Sequence, residues 1–442
     1  MARFLFATIP FTGHVMPGLP IARALVARGH EVRWYTGGYF KTKVEAAGAV
    51  HVPMRAARDF DDLRVNEVFP ERAGLSDLGQ LKFDLSRIFT DQAPGELADL
   101  EAYQREWPAD VVVCDTAFLG AALLQEKQGV PWAAFGITAM TVASRDTAPF
   151  GLGVLPSGST LGRLRNRVLT ALVNGLLFRD VNANVDRVWK QLGLPPRNQA
   201  IFDVPLSPFL YLQGTVPSFE YPRGDLPPHV HFIGPFIPEP PREWTPPSWW
   251  PELLQEKRPV VHVTQGTLAT DSFELILSTL DALAGEDVFV VAATGGKPVE
   301  ALGRSTLPAN ARVERFIPYA HLLPRVSAMI TNCGYGGVQL ALAHGVPLIG
   351  AGTTEEKPEI ANRIAWSGVG LNLKTKAPSP ERIRQAVRQV LSEPRFRERA
   401  KALQAEIARY DAPSHAAELL ETLARTRRPV LREGAAAPRA GG

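Results

Sequence analysis

The sequence predicts an α/β protein of two successive domains, each a parallel sheet covered by helices. Three observations predict it. Short apolar runs alternate with stretches of helical periodicity over residues 3–135. The same alternation starts again at Val260 and continues past residue 391. Between the two series lies a concentration of proline: fourteen of the 38 prolines fall in residues 205–259, where helices and central strands would not tolerate them.

Residues 3–9 read as a first strand. Residues 17–28 carry Leu19, Ala22, Leu25 and Val26 at helical spacing, and Gly29 stops them. Residues 31–36 form the next strand and complete a βαβ unit. Strand 110–115, helix 119–128 and strand 130–135 repeat it. Residues 159–192 differ, with apolar side chains every three to five positions from Leu161 to Leu192 and arginines between them. One or two amphipathic helices are expected, with the stripe facing the core. The same stripe also suits a pocket wall or a membrane surface. Residues 214–256 read as a stiff proline-rich connection. Then come strand 260–264, helix 272–284, strands 288–293, 311–316 and 328–331, helix 337–344, strand 347–350 and helix 358–366. Helices 380–391 and 394–423 close the series. The division is an N-terminal domain (1–213), the linker (214–256), a C-terminal domain (257–393), helices packing back on the N-terminal domain (394–428) and a disordered tail (429–442).

Composition excludes several classes. The chain of 442 residues is 45% hydrophobic and 21% charged, which is neither disordered nor fibrous. Its net charge of +3 is uneven. Residues 425–442 hold five arginines against one glutamate, +4, so the body carries −1, and nucleic acid is not an expected partner. Cys114 and Cys333 lie far apart and outside any CxxC pair, which disfavours zinc and disulfides and fits a reducing compartment. No apolar window approaches a membrane span and no signal segment is evident, so a cytoplasmic location without stable membrane insertion is expected, as a monomer or weak homodimer.

The most informative segment is 312–373. A buried strand ends at Thr331, then comes Asn332-Cys333-Gly334-Tyr335-Gly336-Gly337 and a helix. Bare backbone at a helix N-terminus offers N–H groups and partial positive charge to a diphosphate. Glycine there also serves plain turn sterics. A dinucleotide site at the N-terminus is disfavoured, because GxGxxG and the acid after the second strand are both missing, and no GxxxxGK[ST] occurs.

With Phe316-Ile317-Pro318, the Cys-Gly-aromatic turn, Gly345-Val346-Pro347 and Glu356 in this order, the chain resembles the family 1 glycosyltransferases, the UDP-glycosyltransferase superfamily, and most of all their bacterial macrolide-glycosyltransferase group. The resemblance implies a GT-B fold, two Rossmann-like domains facing across a cleft. It implies a nucleotide-sugar co-substrate, UDP- or dTDP-linked, with no further cofactor. It puts Phe316 on the base with Ile317 beside it, Tyr319 in the place of a glutamine, and Thr267 near the phosphates. It sets Asn332, Gly334, Gly336 and Gly337 around the diphosphate, and Glu356 with Lys357 on the sugar hydroxyls. Four positions depart from the pattern. Asn332 replaces a histidine, Gly336-Gly337 an Asn-Ser, Leu340 a ribose-binding glutamate, and Lys357 a glutamine. Loss of the ribose acid leaves UDP-glucose and a dTDP-deoxyhexose such as rhamnose both open.

In the first half, His14 follows the first strand and Asp115 ends a later one, so both reach the ligand-binding edge of one sheet. An acceptor hydroxyl needs a base, and a carboxylate orients the imidazole. A loop histidine or a helix-capping aspartate are the plainer readings of each alone. The pair, with the Gly-His-x-x-Pro pattern of the resembled family, points to catalysis. Phe11, Phe118, Phe135 and Met140 are expected to line the pocket of a small lipophilic acceptor, a macrolide, polyketide or flavonoid. Asp59-Phe60-Asp61 mimics a metal-binding DxD but reads as a solvated loop, so no metal is expected. The expected activity is inverting, metal-independent hexosyl transfer. A nucleotide-sugar epimerase and a non-catalytic nucleotide-sugar-binding helper are the alternatives.

Overall fold

The computed structural model of the chain describes residues 1–239, 243–266 and 273–434. The N-terminal sheet has seven strands: β1 (Arg3–Ala7), β2 (Glu31–Tyr35), β3 (Val50–Val52), β4 (Val111–Asp115), β5 (Trp132–Gly136), β6 (Leu210–Gln213) and β7 (Val230–Phe232). All pair in parallel in the order β3-β2-β1-β4-β5-β6-β7. The second sheet comprises β8 (Val260–Thr264), β9 (Phe289–Ala293), β10 (Ala311–Glu314), β11 (Ala328–Thr331), β12 (Leu348–Gly350) and β13 (Gly370–Asn372), also parallel, in the order β10-β9-β8-β11-β12-β13.

The strands read as unbroken apolar runs because both faces are covered. Phe4 and Phe6 of β1 pack with Trp34, Val111, Val113 and Phe135 under one helical layer. Leu5 and Ala7 pack with Tyr35, Val112 and Cys114 under the other. Each sheet reverses strand order once, between β1 and β4 and between β8 and β11. Such a switch point opens a crevice beyond the carboxyl ends of the strands, and ligands bind there.

Most expected elements occur within one or two residues of their predicted ends, β8 and β11 without change. Residues 77–106 hold helices that periodicity did not single out: Asp77–Phe83, the wide π turn Asp84–Thr90 and Ala93–Glu106. The last conceals its stripe by burying Glu96 and Asp99 beside Leu97, Leu100 and Tyr103.

Three domain expectations need correction. Residues 214–232 are not linker. β7 pairs with β6, and Pro217–Phe219 is a short helical turn between them, so the N-terminal domain runs on to Phe232. The terminal helix 394–423 is two helices, broken at Asp411, whose carboxylate caps the second by accepting the Ser414 N–H. Pro394–Ile407 packs within the C-terminal domain, with Ala400 and Leu403 beside Val338 and Leu342. Only Ala412–Thr426 returns to the N-terminal domain, where Ala416, Leu420 and Leu423 pack near Phe4 and Phe6. Glu421 there accepts two hydrogen bonds of 2.7 Å from Arg28. The tail is docked at its start: Val430 N–H donates to Phe209 and Arg432 N–H to Pro228, each at 2.8 Å. Residues 435–442 of the expected disordered tail lie outside the described residues. No described helix is long and apolar enough to cross a membrane.

Candidate active site

β1 and β4 deliver the two residues read as a pair. The chain leaves β1 and makes one helical turn, Thr12–Val15, which carries His14. Asp115 is the last residue of β4 and is fully buried. His14 Nδ1 lies 2.7 Å from Asp115 Oδ1. Asp115 is fixed in turn by the Ile9 N–H on Oδ2 at 2.9 Å and the Ala117 N–H on Oδ1 at 2.7 Å. An ionised carboxylate can only accept, so Nδ1–H donates to Asp115 and Nε2 keeps the free lone pair. The His14 side chain is 17% exposed, enough to meet a ligand.

The expected reading of residues 59–61 as a solvated loop holds for Asp59, which is exposed, and not for the other two. Asp61 is buried and accepts the Leu63 and Arg64 N–H groups, and Asp59 accepts the Gly38 N–H. The next residue, Asp62, accepts the Thr12 N–H at 2.9 Å and the Thr12 hydroxyl. Phe60 packs edge-on against Phe11 with ring centroids 5.2 Å apart. The segment therefore braces the turn that bears His14. Among the described residues no cluster of His, Cys, Asp and Glu is arranged to hold a metal ion.

Behind Asp115 sits Glu96, which the sequence reading did not single out. Its Oε2 accepts the Gly120 N–H at 3.0 Å, and Oε1 has no partner among the described residues. Burial raises its carboxyl well above the usual range, and the nearby Asp115 and Asp99 carboxylates add to the shift. Folded Glu96 therefore keeps its proton at pH values where the unfolded chain, near the ordinary 4.5, has lost it. Its contribution to stability is full below that value and declines as pH rises toward the folded value. Glu96→Gln retains an acceptor for Gly120 and removes the decline. Its melting temperature should exceed the parent's by a margin that is small near pH 5 and grows toward pH 9. An equal margin at both pH values would show that Glu96 titrates normally.

The second switch point holds the glycine turn. Cys333 takes φ 69°, and helix Tyr335–Ala343 starts behind Gly334, two residues earlier than expected. None of Gly334, Gly336 and Gly337 has positive φ. A Cβ at any of them would meet no atom closer than 3.7 Å, and at Gly336 nothing within 4 Å. The fold's own sterics do not require these glycines. They leave open space over first-turn N–H groups that have no partner within the helix. Asn332 Nδ2 donates to Gln265 O and ties this turn to the loop after β8. Thr267, expected near the phosphates, lies outside the described residues. Phe316, just past β10, is 66% exposed, while Ile317 is buried in the domain core and offers a ligand only its backbone. Tyr319 is half-buried, its ring 5.7 Å from that of His262 and its hydroxyl bonded to Thr264. It is held by the domain rather than free to meet a base.

The two switch points face each other. Tyr335, at the start of the glycine-turn helix, accepts a 3.1 Å hydrogen bond from Gln213 at the end of β6. Glu356 stands at the N-terminus of helix Lys357–Trp366, on the side of the C-terminal domain that faces His14. Burial raises the Glu356 carboxyl, with Glu355 adding to the shift and Lys357 opposing it. Lys357 Nζ is committed to Thr354 Oγ1 at 3.1 Å and to Glu355. Behind this edge the domains are joined by a buried cluster. Arg363 donates to Glu220 Oε1 at 2.7 Å and to Glu359 at 3.0 Å, and Glu359 Oε1 accepts the Gly153 N–H at 2.8 Å.

The acceptor-side expectations divide. Phe11 lies beside His14, with centroids 5.8 Å apart. Met140 borders a small pocket of mixed lining, with Val142, Phe150 and Phe202 on one hand and Asp203, Arg223 and Glu359 on the other. Phe118 and Phe135 are corrected: both are wholly buried, on opposite faces of the sheet, Phe118 against Tyr35 and Phe135 against Phe236. Packing demand accounts for them. The aromatic missed is Phe89, half-buried in the π turn with its ring 6.1 Å from His14. Wide turns of this kind recur at functional sites.

Comparison with known proteins agrees with this fold. Residues 277–423 match the family model described as erythromycin biosynthesis protein CIII-like, C-terminal domain. The chain is similar to 4'-demethylrebeccamycin synthase of Lentzea aerocolonigenes, at 51% identity over 96% of this chain and 99% of that one. It is 33% identical to UDP-glycosyltransferase 2 of Phaeomoniella chlamydospora over 95% of both. In fold it is similar to the calicheamicin glycosyltransferase, with a TM-score of 0.74 at 22% identity over 96% of this chain and 99% of that one.

Proposed function

Because the chain belongs to the family 1 glycosyltransferases, the UDP-glycosyltransferase superfamily, we propose that it moves a hexose, with inversion and without a metal, from a nucleotide sugar to a hydroxyl of a small lipophilic acceptor. The observation that carries this reading is the His14–Asp115 pair set opposite the open helix N-terminus at Gly334–Gly337. Nε2 of His14 takes the acceptor's proton as its oxygen attacks the anomeric carbon. The bond from that carbon to the diphosphate breaks, and the leaving charge meets the N–H groups of Tyr335, Gly336 and Gly337. Asp115 stabilises the imidazolium until the proton departs. Glu356 holds sugar hydroxyls beside His14, and Phe316 offers its face to the base. Among the described residues Glu356 is the one acid assigned to the sugar, which favours transfer over the several acids and bases of an epimerase.

UDP-glucose is the favoured donor. Five relatives that cover 90% or more of this chain carry UDP-glycosyl- or UDP-glucosyltransferase names, among them UDP-glucosyltransferase 1 of Beauveria bassiana. Leu340, half-buried on the glycine-turn helix, gives the 2′-hydroxyl no partner, and Gln339 lies buried on the same face as Tyr335. The site should therefore tolerate 2′-deoxyribose, so a dTDP-deoxyhexose is a second substrate class.

The test is mass spectrometry of products from UDP-glucose and dTDP-rhamnose against a panel of phenols and macrolides, with excess chelator. The expected result is one added hexose from UDP-glucose, undiminished by chelator. Loss of product restored by Mg²⁺ or Mn²⁺ overturns the metal-free mechanism. Product from dTDP-rhamnose alone overturns the donor assignment.

A further inference from the structure

Helix Thr160–Leu172 and the wide turn Val173–Leu177 do not present the core-facing stripe their sequence suggested. In the following helix, Arg179–Gln191, the stripe is core: Val181, Val185 and Val188 are buried. In the first helix it faces outward. Leu161, Leu164, Val168, Leu172 and Leu176 are 80%, 59%, 51%, 48% and 73% exposed. They are three or four residues apart and form one strip about 22 Å long at 1.5 Å per residue. The opposite face, with Gly162, Asn166 and Val173, is the one buried against the protein.

Charge identifies what covers the strip. Every ionisable side chain in residues 160–179 is an arginine: 163, 165, 167 and 179. At 100° per residue, Arg165 and Arg167 fall on the two flanks of the strip. Arg167 and Arg179 make no hydrogen bond or ion pair among the described residues, while Arg163 is paired with Asp146. Arg165 also bonds Leu155 O at 2.8 Å, which sets the exposed Leu155 beside the helix and widens the apolar surface. An isologous contact between two copies of this face would oppose arginine to arginine. An anionic lipid surface satisfies both the strip and its flanks.

We propose that this helix is a membrane-surface docking element that lies in the plane of an anionic bilayer and binds reversibly. Leucines enter the headgroup boundary while arginines meet lipid phosphates. The inner face of the same helix contributes Thr170 and Val173 to the pocket that Met140 borders. Docking would hold that pocket close to the bilayer, where lipophilic molecules partition.

The experiment is co-sedimentation of the full chain with vesicles of phosphatidylcholine alone or with about 30% phosphatidylglycerol, at about 50 mM and roughly 500 mM salt. The expected result is a partition coefficient at least about tenfold higher on the anionic vesicles, most of it lost at high salt. Leu164→Glu with Leu172→Glu, and separately Arg167→Glu with Arg179→Glu, should fall to the phosphatidylcholine level with unchanged melting temperature. All four positions are exposed, so neither pair disturbs the core. Equal partition on both vesicle types, no partition at all, or full binding by both double variants overturns the proposal. So does a stable dimer in light scattering that Leu164→Glu with Leu172→Glu dissolves, which would make a second copy the occupant.

Discussion

His14→Ala should lower turnover by about 10²–10⁴-fold and leave nucleotide affinity within about twofold. The substitution removes the imidazole held by Asp115 and leaves the proposed diphosphate turn on the opposite domain untouched. The fold should survive, since Asp115 keeps the Ile9 and Ala117 N–H donors that hold the ends of β1 and β4 together. Asp115→Asn should act in the same direction, because an amide in place of the carboxylate favours the wrong tautomer. Steady-state kinetics with titration calorimetry of UDP separates the two quantities. Turnover within a few-fold of the parent would remove His14 from its role.

Gly336→Asp should weaken nucleotide binding by about 10²-fold while leaving melting temperature unchanged or slightly higher. An acidic side chain in the first turn of a helix is stabilising by about 0.3–1 kcal/mol, and a Cβ here meets no atom within 4 Å. Against a bound diphosphate it is a like charge at short range, about 4 kcal/mol at 4 Å with an effective dielectric of 20. Repulsion wins even after water screens part of it. Fold stability and ligand affinity thus move in opposite senses, which a plain folding defect does not do. If the aspartate variant binds UDP as the parent does, the diphosphate lies elsewhere.

The sheets were legible because parallel strands buried on both faces read as continuous apolar runs, as in Phe4–Ala7 and Val111–Asp115. The His14–Asp115 pair was legible because strand ends in such sheets fall on one edge. Other features depend on packing that no local pattern reports. Phe118 and Phe135 look like pocket aromatics and serve the core. Phe89 looks like any residue of an irregular helical stretch and lies beside His14. Glu96 and Asp99 break an apolar stripe yet are buried, so the helix that carries them was not recognised. Asp62 anchors Thr12 from fifty residues away, a contact that only the tertiary fold creates. The outward strip of the helix at 160–172 has the same spacing as a core stripe, and only its neighbours decide which it is.

The return of Ala412–Thr426 to the first domain has a consequence for synthesis and for recombination. The N-terminal domain is discontinuous. Its sheet is complete when β7 emerges, but Ala416, Leu420 and Leu423 still have to cover Phe4 and Phe6, and they are made after every strand of the second sheet. The nascent first half therefore keeps one apolar face open until the second sheet has been made. A chimera that exchanges donor halves by a single cut near residue 240 would carry a foreign helix onto that face. The natural module for exchange ends at Asp411, where one helix stops and the returning one begins.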